Sequence, residues 1–188
     1  EVAIEPTSTP QPSGAYGRAK LRAEHCLRKI CEGSAMQLVT LRPPMIYGRG
    51  GPGNPGLLAS WIRRGWPVPV PMQANPRSLL YLGNFLSILS RILETSEVPP
   101  WPVLVQDDRA LTTEEMVVQI GRALGRTARC WKLSPEGVRN LGALTGGFLS
   151  EKLCGRLTVD STRTEQFYNW KPPTTAEEGF LASFGPLF

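Results

Sequence analysis

The sequence has few metal-binding residues and none of the long runs that mark membrane-spanning or nucleic-acid-binding proteins. It contains one histidine, His25, and four cysteines without a C-x-x-C pair, whereas a structural zinc site needs about four suitably spaced ligands. No apolar run reaches the roughly 18 residues that a membrane-spanning helix needs. The net charge of +5 comes from scattered arginines, and a nucleic-acid-binding surface usually concentrates its charge in a stripe. We therefore expect no metal site, no membrane span and no nucleic-acid partner.

The rest of the composition is that of an ordinary globular protein. The 188 residues are 41% hydrophobic and 20% charged, which suffices for one domain with a core. No basic and then apolar signal segment opens the sequence, so we expect a cytoplasmic protein. Its thiols should then be reduced; they are Cys26, Cys31, Cys130 and Cys154. The modest positive charge also suits an anionic small molecule such as a nucleoside diphosphate.

Predicted helices and short strands alternate along the chain. The first element is a helix over residues 14–32, with Ser13 as its N-cap. Later helices are predicted at residues 57–65, 84–95, 113–124, from 134, at 161–168 and after 175. Strands are predicted at residues 36–42, 78–82, 102–106 and 128–133, with a proline-broken extended segment at 66–76. This alternation predicts an α/β protein with a mainly parallel sheet.

The first predicted helix carries a tyrosine and a lysine four residues apart. Tyr16 and Lys20 therefore lie on one face of that helix. A free tyrosine has a pKa of about 10, but a neighbouring ammonium group favours the phenolate and lowers that pKa. Such a tyrosine can exchange a proton with a carbonyl or carbinol oxygen while a hydride moves. The lysine can also hydrogen-bond a ribose hydroxyl.

Four segments in sequence order resemble those of the extended short-chain dehydrogenases/reductases. Residues 15–24 (AYGRAKLRAE) resemble the active-site helix of that family, and residues 41–48 (LRPPMIYG) resemble its next strand and proline turn. Residues 77–85 (RSLLYLGNF) resemble a later arginine-bearing strand-to-helix segment. Residues 169–179 (NWKPPTTAEEG) are similar to the closing GW-x-P … EEG signature. Together they cover nearly the whole chain, and they are most similar to the UDP-glucose 4-epimerase-like subgroup of the NAD-dependent epimerase/dehydratase family.

The resemblance implies the C-terminal part of a Rossmann-like parallel sheet with a small α/β substrate-binding subdomain. It implies that the parent protein moves a hydride between NAD or NADP and a nucleoside-diphosphate sugar such as a UDP-hexose, as an epimerase or a 4-keto reductase. Tyr16 is then the acid/base, Lys20 is its partner, and both contact the cofactor. The other implied cofactor-binding residues are Pro43, Met45 and Ile46. The implied substrate-binding residues are Asn54 and Arg77, whose guanidinium suits a diphosphate, with Arg156 as a weaker second candidate.

Residues 48–53 (GRGGPG) match the G-x-G-x-x-G dinucleotide-binding pattern, but we reject this match. Prolines crowd the segment, whereas the fingerprint needs a direct strand–turn–helix with donating amides. No acidic residue follows about 20 positions later to bind ribose hydroxyls. Members of the family carry the fingerprint and a catalytic Ser/Thr ahead of the tyrosine. The resemblance therefore implies that the glycine-rich N-terminal half is absent from this chain.

The resemblance divides the chain into four parts. Residues 1–50 are the trailing part of the nucleotide-binding domain, 51–76 a substrate-pocket loop and helix, 77–106 a return to the nucleotide-binding sheet, and 107–188 the substrate-binding subdomain. A second class of function stays open, namely a non-catalytic truncated fragment or binding module of this family. A third is a member acting on a steroid or another small alcohol. The cofactor type, the sugar, the reaction type and the oligomeric state also stay open, although members often form homodimers through the Tyr–Lys helix.

Overall fold

The computed structural model describes residues 3–12, 14–51, 54–144 and 155–186. The helices are α1 Ala15–Cys31, α2 Asn54–Arg63, α3 Leu82–Glu94, α4 Thr113–Ala123, α5 Pro135–Leu144, α6 Thr162–Tyr168 and α7 Ala176–Phe184. The strands are β1 Leu41–Arg42, β2 Met45–Tyr47, β3 Val68–Pro71, β4 Leu79–Tyr81, β5 Val103–Leu104 and β6 Cys130–Leu133. Within these residues, no helix combines the length and the apolar character that crossing a membrane requires.

The strands form three parallel pairs, β1 with β5, β2 with β4, and β3 with β6. Parallel neighbours need long crossover connections, and the helices between the strands supply them. The chain changes partner at Pro43-Pro44: Leu41 pairs with Val103, whereas Met45 pairs with Leu79. Proline has no backbone N–H and cannot donate to a strand ladder. The observed pairing confirms the predicted α/β class with parallel strands.

Strand β3 lies in the proline-broken segment at residues 66–76, for which the sequence predicts extended backbone but no strand, since every second residue of β3 is proline. The N–H of Val68 donates to the Arg129 carbonyl at 2.8 Å, and the N–H of Met72 donates to the Leu133 carbonyl at 2.9 Å. Alternate residues of a strand direct their N–H groups to the same side. The two prolines, Pro69 and Pro71, therefore occupy the positions that face away from β6, and their missing N–H groups cost no ladder bond.

Two hydrophobic clusters hold these elements together, and β4 separates them. Leu79 packs into the first cluster and its neighbour Leu80 into the second, because successive strand side chains point to opposite faces. The first cluster joins α2, α4 and α7, and in it the rings of Tyr47 and Phe180 stack at 4.6 Å. The second cluster joins α3 and β5 to Tyr168 and Trp170.

Helix α1 contributes no buried residue to either cluster. Two of its apolar side chains are largely open, since Leu27 is 48% and Ile30 63% exposed. The helix is preceded by Gly14, which makes no side-chain cap hydrogen bond, and the predicted cap Ser13 lies outside the described residues. The apolar side chains of α1 therefore have little covering structure within the described part of the chain.

Candidate active site

Helix α1 places Tyr16 and Lys20 next to each other, as their spacing predicts. The Lys20 Nζ atom lies 5.5 Å from the centroid of the Tyr16 ring, within the range of a cation–π contact. Tyr16 is 77% exposed, so its hydroxyl faces outward from α1. The ammonium and the ring therefore share one face of the helix, where a reacting molecule can reach both.

A groove of about 310 Å³ runs beside this pair, between α1 and the end of β1. Lys20 lies on its wall together with Pro43 and Pro44. The opposite wall comes from the N-terminal segment around Pro12 and from Leu157. The structure thus brings one member of the Tyr–Lys pair and the first predicted cofactor residue, Pro43, to the same groove.

An ion pair fixes the position of α1 over this groove. The Nε atom of Arg42 donates to the Glu24 carboxylate at 3.0 Å, and a second guanidinium nitrogen also donates to that carboxylate. Two parallel bonds of this kind set both the distance and the angle of the partners. Because Glu24 lies one turn after Lys20, this contact holds the lysine end of the pair against β1.

The remaining predicted cofactor residues follow the two prolines in β2. Met45 packs against the first hydrophobic cluster, and Ile46 packs against the second. Both are half-buried, whereas Pro43 is exposed. The three residues therefore form a continuous stretch whose exposed part is the proline at the groove.

The two predicted substrate residues lie apart from the Tyr–Lys pair along the chain and belong to other elements. Asn54 is the first residue of α2 and is buried, at 7% exposure. Arg77 is half-buried just before β4, and its backbone exchanges hydrogen bonds of 2.9 Å with Leu111. Its backbone also bridges to Leu157, a residue of the groove beside α1.

A larger cavity of about 670 Å³ opens at the carboxyl ends of β3 and β6. Its lining includes Asn75, Arg139 and the weaker predicted substrate residue Arg156. Asn75 is buried, and its side chain donates to the Thr113 hydroxyl at 2.8 Å. Ligands of open α/β sheets bind outside the carboxyl ends of the strands, and two arginines at this edge suit an anion.

The sequence analysis does not predict a buried carboxylate that joins β2, β4 and α3. Asp107 accepts hydrogen bonds of 2.8 Å from the Tyr47 hydroxyl, the Tyr81 N–H and the Asn84 amide. Burial raises the pKa of the Asp107 carboxyl, although these three donors oppose the shift. Burial, and then the charge of Asp107, also raise the pKa of Tyr47. The available signal was an aspartate directly after a buried apolar strand.

The rejected glycine pattern connects a strand to a helix, but not within a βαβ unit. Gly48 to Gly51 form a turn with a 3.1 Å backbone hydrogen bond, while Pro52 and Gly53 lie outside the described residues. The strand that follows α2 is β3, which pairs with β6 rather than with β2. A dinucleotide fingerprint needs its helix to return the chain to the same sheet. Among the described residues, no cluster of three or more His, Cys, Asp or Glu side chains suits a metal ion.

The parallel strand pairs and their crossover helices define a Rossmann-like α/β protein. A profile of the NAD dependent epimerase/dehydratase family matches residues 2–100. This chain therefore belongs to that family, which confirms the family resemblance derived from its motifs.

Individual relatives agree with this assignment. A UDP-glucose 4-epimerase of Vibrio cholerae is 31% identical over 174 residues, which are 90% of this chain and 52% of that protein. An N-acetyl-α-D-glucosaminyl-diphospho-ditrans,octacis-undecaprenol 4-epimerase of Escherichia coli O157:H7 is 25% identical over 158 residues, 83% of this chain and 47% of that protein. The chain thus spans about half the length of these curated relatives.

Solved structures show the same fold. The structure of UDP-glucuronic acid 4-epimerase from Bacillus cereus in complex with NAD superposes with a TM-score of 0.77. The match has 16% sequence identity and covers 97% of this chain and 55% of that chain. At this identity the similarity concerns the arrangement of helices and strands alone.

Proposed function

We propose that the whole protein is a nicotinamide-dependent nucleotide-sugar 4-epimerase or 4-keto reductase. The observation that carries this proposal is the Tyr16–Lys20 pair, with the ammonium 5.5 Å from the ring centroid on the helix that borders the groove. The relative from Vibrio cholerae, a UDP-glucose 4-epimerase, supports the reaction class. The Bacillus cereus neighbour was solved with NAD, which supports a nicotinamide cofactor, either NAD or NADP.

The groove beside α1 fits the nicotinamide end of such a cofactor. Pro43 and Pro44 offer apolar surface for a flat ring, and Lys20 on the same wall offers three N–H donors for ribose hydroxyls. Met45 and Ile46 continue this wall from β2. When bound, the cofactor supplies or accepts the hydride at the sugar C4.

Tyr16 then transfers the proton at the oxygen attached to the same carbon. In the oxidative direction its phenolate oxygen accepts the proton of the C4 hydroxyl, and in the reductive direction its phenol returns a proton to the C4 carbonyl oxygen. The Lys20 ammonium, 5.5 Å from the ring centroid, complements the negative charge that develops on the tyrosine oxygen during this exchange. The exposure of Tyr16 on α1 leaves its oxygen accessible to the sugar.

In this proposal, residues 1–50 and 77–106 belong to the nucleotide-binding part, which holds the nicotinamide cofactor. Residues 51–76 and 107–188 form the part that binds the nucleoside diphosphate of the substrate. The cavity at the carboxyl ends of β3 and β6 carries two arginines. Arg77 follows Asn75, a lining residue of that cavity, by two positions. In this proposal Arg77 contacts the diphosphate and Asn54, at the start of α2, contacts the phosphate or the sugar.

Replacing Tyr16 by phenylalanine in the whole protein tests this function. General acid–base groups contribute about 10² to 10⁴ in rate, so UDP-hexose turnover should fall by that factor. Tyr168→Phe is a matched control, because the buried Tyr168 hydroxyl has no hydrogen-bond partner among the described residues. If Tyr16→Phe kept the turnover of the control, Tyr16 would not be the acid/base.

A second candidate is a non-catalytic binding module that this chain forms by itself. Two observations favour it. The described residues form the proposed substrate cavity, but they contain no dinucleotide-binding fingerprint. Calorimetry on the 188-residue chain separates the two candidates. Binding of UDP without binding of NAD supports the module, and tight binding of NAD excludes it.

We also propose that the whole protein forms a homodimer through α1. The support is the open apolar surface of that helix around Leu27 and Ile30, since apolar patches of this kind often mark interfaces. Ile30→Asp should convert the dimer to a monomer in light scattering. A wild-type protein that is monomeric at assay concentration would contradict this part of the proposal.

A further inference from the structure

A second positively charged cavity lies at the amino ends of β3 and β6, opposite the proposed substrate cavity. Its volume is about 320 Å³, and its lining includes Trp66, Arg126 and Arg129. The cavity lies between the end of α2 and the loop that joins α4 to β6. Its size is at the lower end of the range of about 300–1,000 Å³ that small-ligand pockets occupy.

Two arginines line this cavity, and two more lie beside one of its lining residues in the chain. Arg126 and Arg129 line it, and Arg63 and Arg64 precede Gly65 on its other side. Within the described part of the chain, no carboxylate lies within ion-pair distance of any of the four. The end of a helix favours cations, which accounts for Arg63 and Arg64. The same effect applies to Arg126, whose N–H donates to the Gly121 carbonyl at the end of α4, but it does not account for Arg129, which directly precedes β6.

The loop that carries Arg126 and Arg129 is held in place on both sides. The Arg126 N–H donates to the Gly121 carbonyl of α4 at 2.9 Å, and the Arg129 carbonyl accepts from Val68 of β3 at 2.8 Å. Gly121 allows this approach, because a Cβ atom there would lie 2.8 Å from the Ala128 Cβ atom. The two guanidinium groups therefore start from fixed backbone positions, which lowers the entropic cost of binding a ligand.

Trp66 completes the site with a flat apolar surface. Its side chain is 53% exposed, and the Arg64 guanidinium carbon lies 5.5 Å from its ring centroid. The same guanidinium donates to the Ser60 hydroxyl of α2, so Arg64 lies beside the ring and is held by its own helix.

We propose that this cavity binds a phosphate group. Guanidinium groups match phosphate oxygens with paired hydrogen bonds, and two of the residues that line the cavity, Arg126 and Arg129, carry them. The small volume of the cavity favours one or two phosphates over a long polyanion, which needs an extended basic stripe. The phosphate can belong to a soluble metabolite or to a lipid headgroup, and both present the same chemistry to the arginines.

Inorganic pyrophosphate is the probe, and the indole N–H signal of Trp66 is the readout. In the full chain with ¹⁵N-labelled tryptophan, Trp66→Phe identifies that signal among those of the five tryptophans. Pyrophosphate should shift it saturably, and the joint variant Arg126→Gln with Arg129→Gln should weaken binding about tenfold or more. Because the signal is local, binding at the proposed substrate cavity does not mimic the result.

Arg163→Gln is the matched control. Its guanidinium carbon lies 5.8 Å from the centroid of the Trp101 ring, but Asp160 is close enough to interact with it. This variant should leave the Trp66 titration unchanged. A Trp66 signal that does not move with pyrophosphate, or that moves equally in the double variant, would overturn the proposal.

Vesicles distinguish the two sources of phosphate. Sedimentation with phosphatidylglycerol vesicles but not with phosphatidylcholine vesicles, abolished by the double variant, identifies a lipid headgroup. Pyrophosphate binding without vesicle binding identifies a soluble ligand. Vesicle binding that the double variant retains would show that this cavity is not the lipid site.

Discussion

Asp107 is the residue whose replacement tests the packing of this protein most sharply. It is 2% exposed and accepts three hydrogen bonds, from Tyr47 in β2, Tyr81 in β4 and Asn84 in α3. Asp107→Ala leaves the Tyr81 N–H without its acceptor. The Tyr47 hydroxyl keeps only a 3.3 Å contact with the Ala176 carbonyl, and Asn84 keeps its Thr174 partner at 2.7 Å.

The expected cost follows from these losses. An unsatisfied buried donor costs about 1–3 kcal/mol, and the truncated side chain adds a small cavity. We therefore expect Asp107→Ala to lower the free energy of unfolding by about 3–5 kcal/mol, a large part of the 5–15 kcal/mol typical of a domain. Urea unfolding followed by circular dichroism measures this change.

Asp107→Asn is the control that separates hydrogen bonding from charge. The amide keeps an acceptor for Tyr81 and Asn84, and its NH₂ group can donate to the Tyr47 oxygen. Tyr47 then donates to the Ala176 carbonyl, 3.3 Å away. We expect this variant to stay within about 1 kcal/mol of the wild type. A loss as large as that of Asp107→Ala would contradict the assigned network.

The stability should also depend on pH through this carboxyl. Burial raises its pKa above the ordinary value of 3.8, and the charge of Asp108 adds to the shift. The folded state therefore holds this proton more tightly than the unfolded state does. The stabilisation from this bound proton is complete when the pH is below the ordinary pKa. It is lost as the pH rises through the raised pKa, with a limiting slope of about 1.4 kcal/mol per pH unit.

The difference in unfolding free energy between the wild type and Asp107→Asn isolates this effect. The subtraction cancels the carboxyls whose pKa is lowered, such as those of Glu115 and Asp160, which act in the opposite direction. The wild type should lose stability relative to the variant as the pH rises above 3.8. A flat difference, or one of the opposite sign, would refute the reasoning.

Two further predictions concern packing and the position of α1. Gly179→Ala should lower the free energy of unfolding by about 1–3 kcal/mol, because the added Cβ atom would lie 2.5 Å from the Tyr47 oxygen. Gly137→Ala is the control: its added Cβ atom would lie no closer than 3.5 Å to its neighbours, so it should be neutral or stabilising in the same urea titration. Equal effects of both would contradict the close approach. Glu24→Gln should weaken the pair with Arg42 and raise hydrogen exchange in α1, with about 1 kcal/mol or less of global loss, whereas unchanged exchange would show that the pair does not hold the helix.

Features that depend on a few neighbouring residues were predictable from the sequence. The T-x-x-E patterns at Thr112 and Thr175 form capping boxes, which Glu115 and Glu178 complete. A capping box needs only four consecutive residues, so no distant contact can alter it. The helix ending near Leu124 and the left-handed Gly125 follow for the same reason.

Features that depend on strand partners were harder to predict. The prolines of β3 suggested an interrupted segment, and only its pairing with β6 shows that they face away from the ladder. Helix α2 begins at Asn54, three residues before the predicted start. Pro55 lies in its first turn, where proline needs no N–H partner.

The candidate site also has one part that was predictable from local sequence and one part that was not. The closeness of Tyr16 and Lys20 follows from helical spacing alone, and the structure shows it. The Asp107 network joins residues 23 to 60 positions apart, so local patterns carry little trace of it. Asp107-Asp108 resembles an ordinary turn pair in sequence, and burial becomes evident only once the strands are paired.

The most direct test of the proposed function is whether a UDP-hexose reduces the bound nicotinamide cofactor of the whole protein. Mixing the oxidised protein with UDP-glucose or UDP-galactose should produce the absorbance of reduced nicotinamide in the wild type. Tyr16→Phe should slow this step by about 10² or more, while UDP affinity stays the same. If no UDP-hexose reduces the cofactor, or if Tyr16→Phe reduces it as fast as the wild type, the assignment of Tyr16 as the acid/base of a nucleotide-sugar epimerase or reductase is wrong.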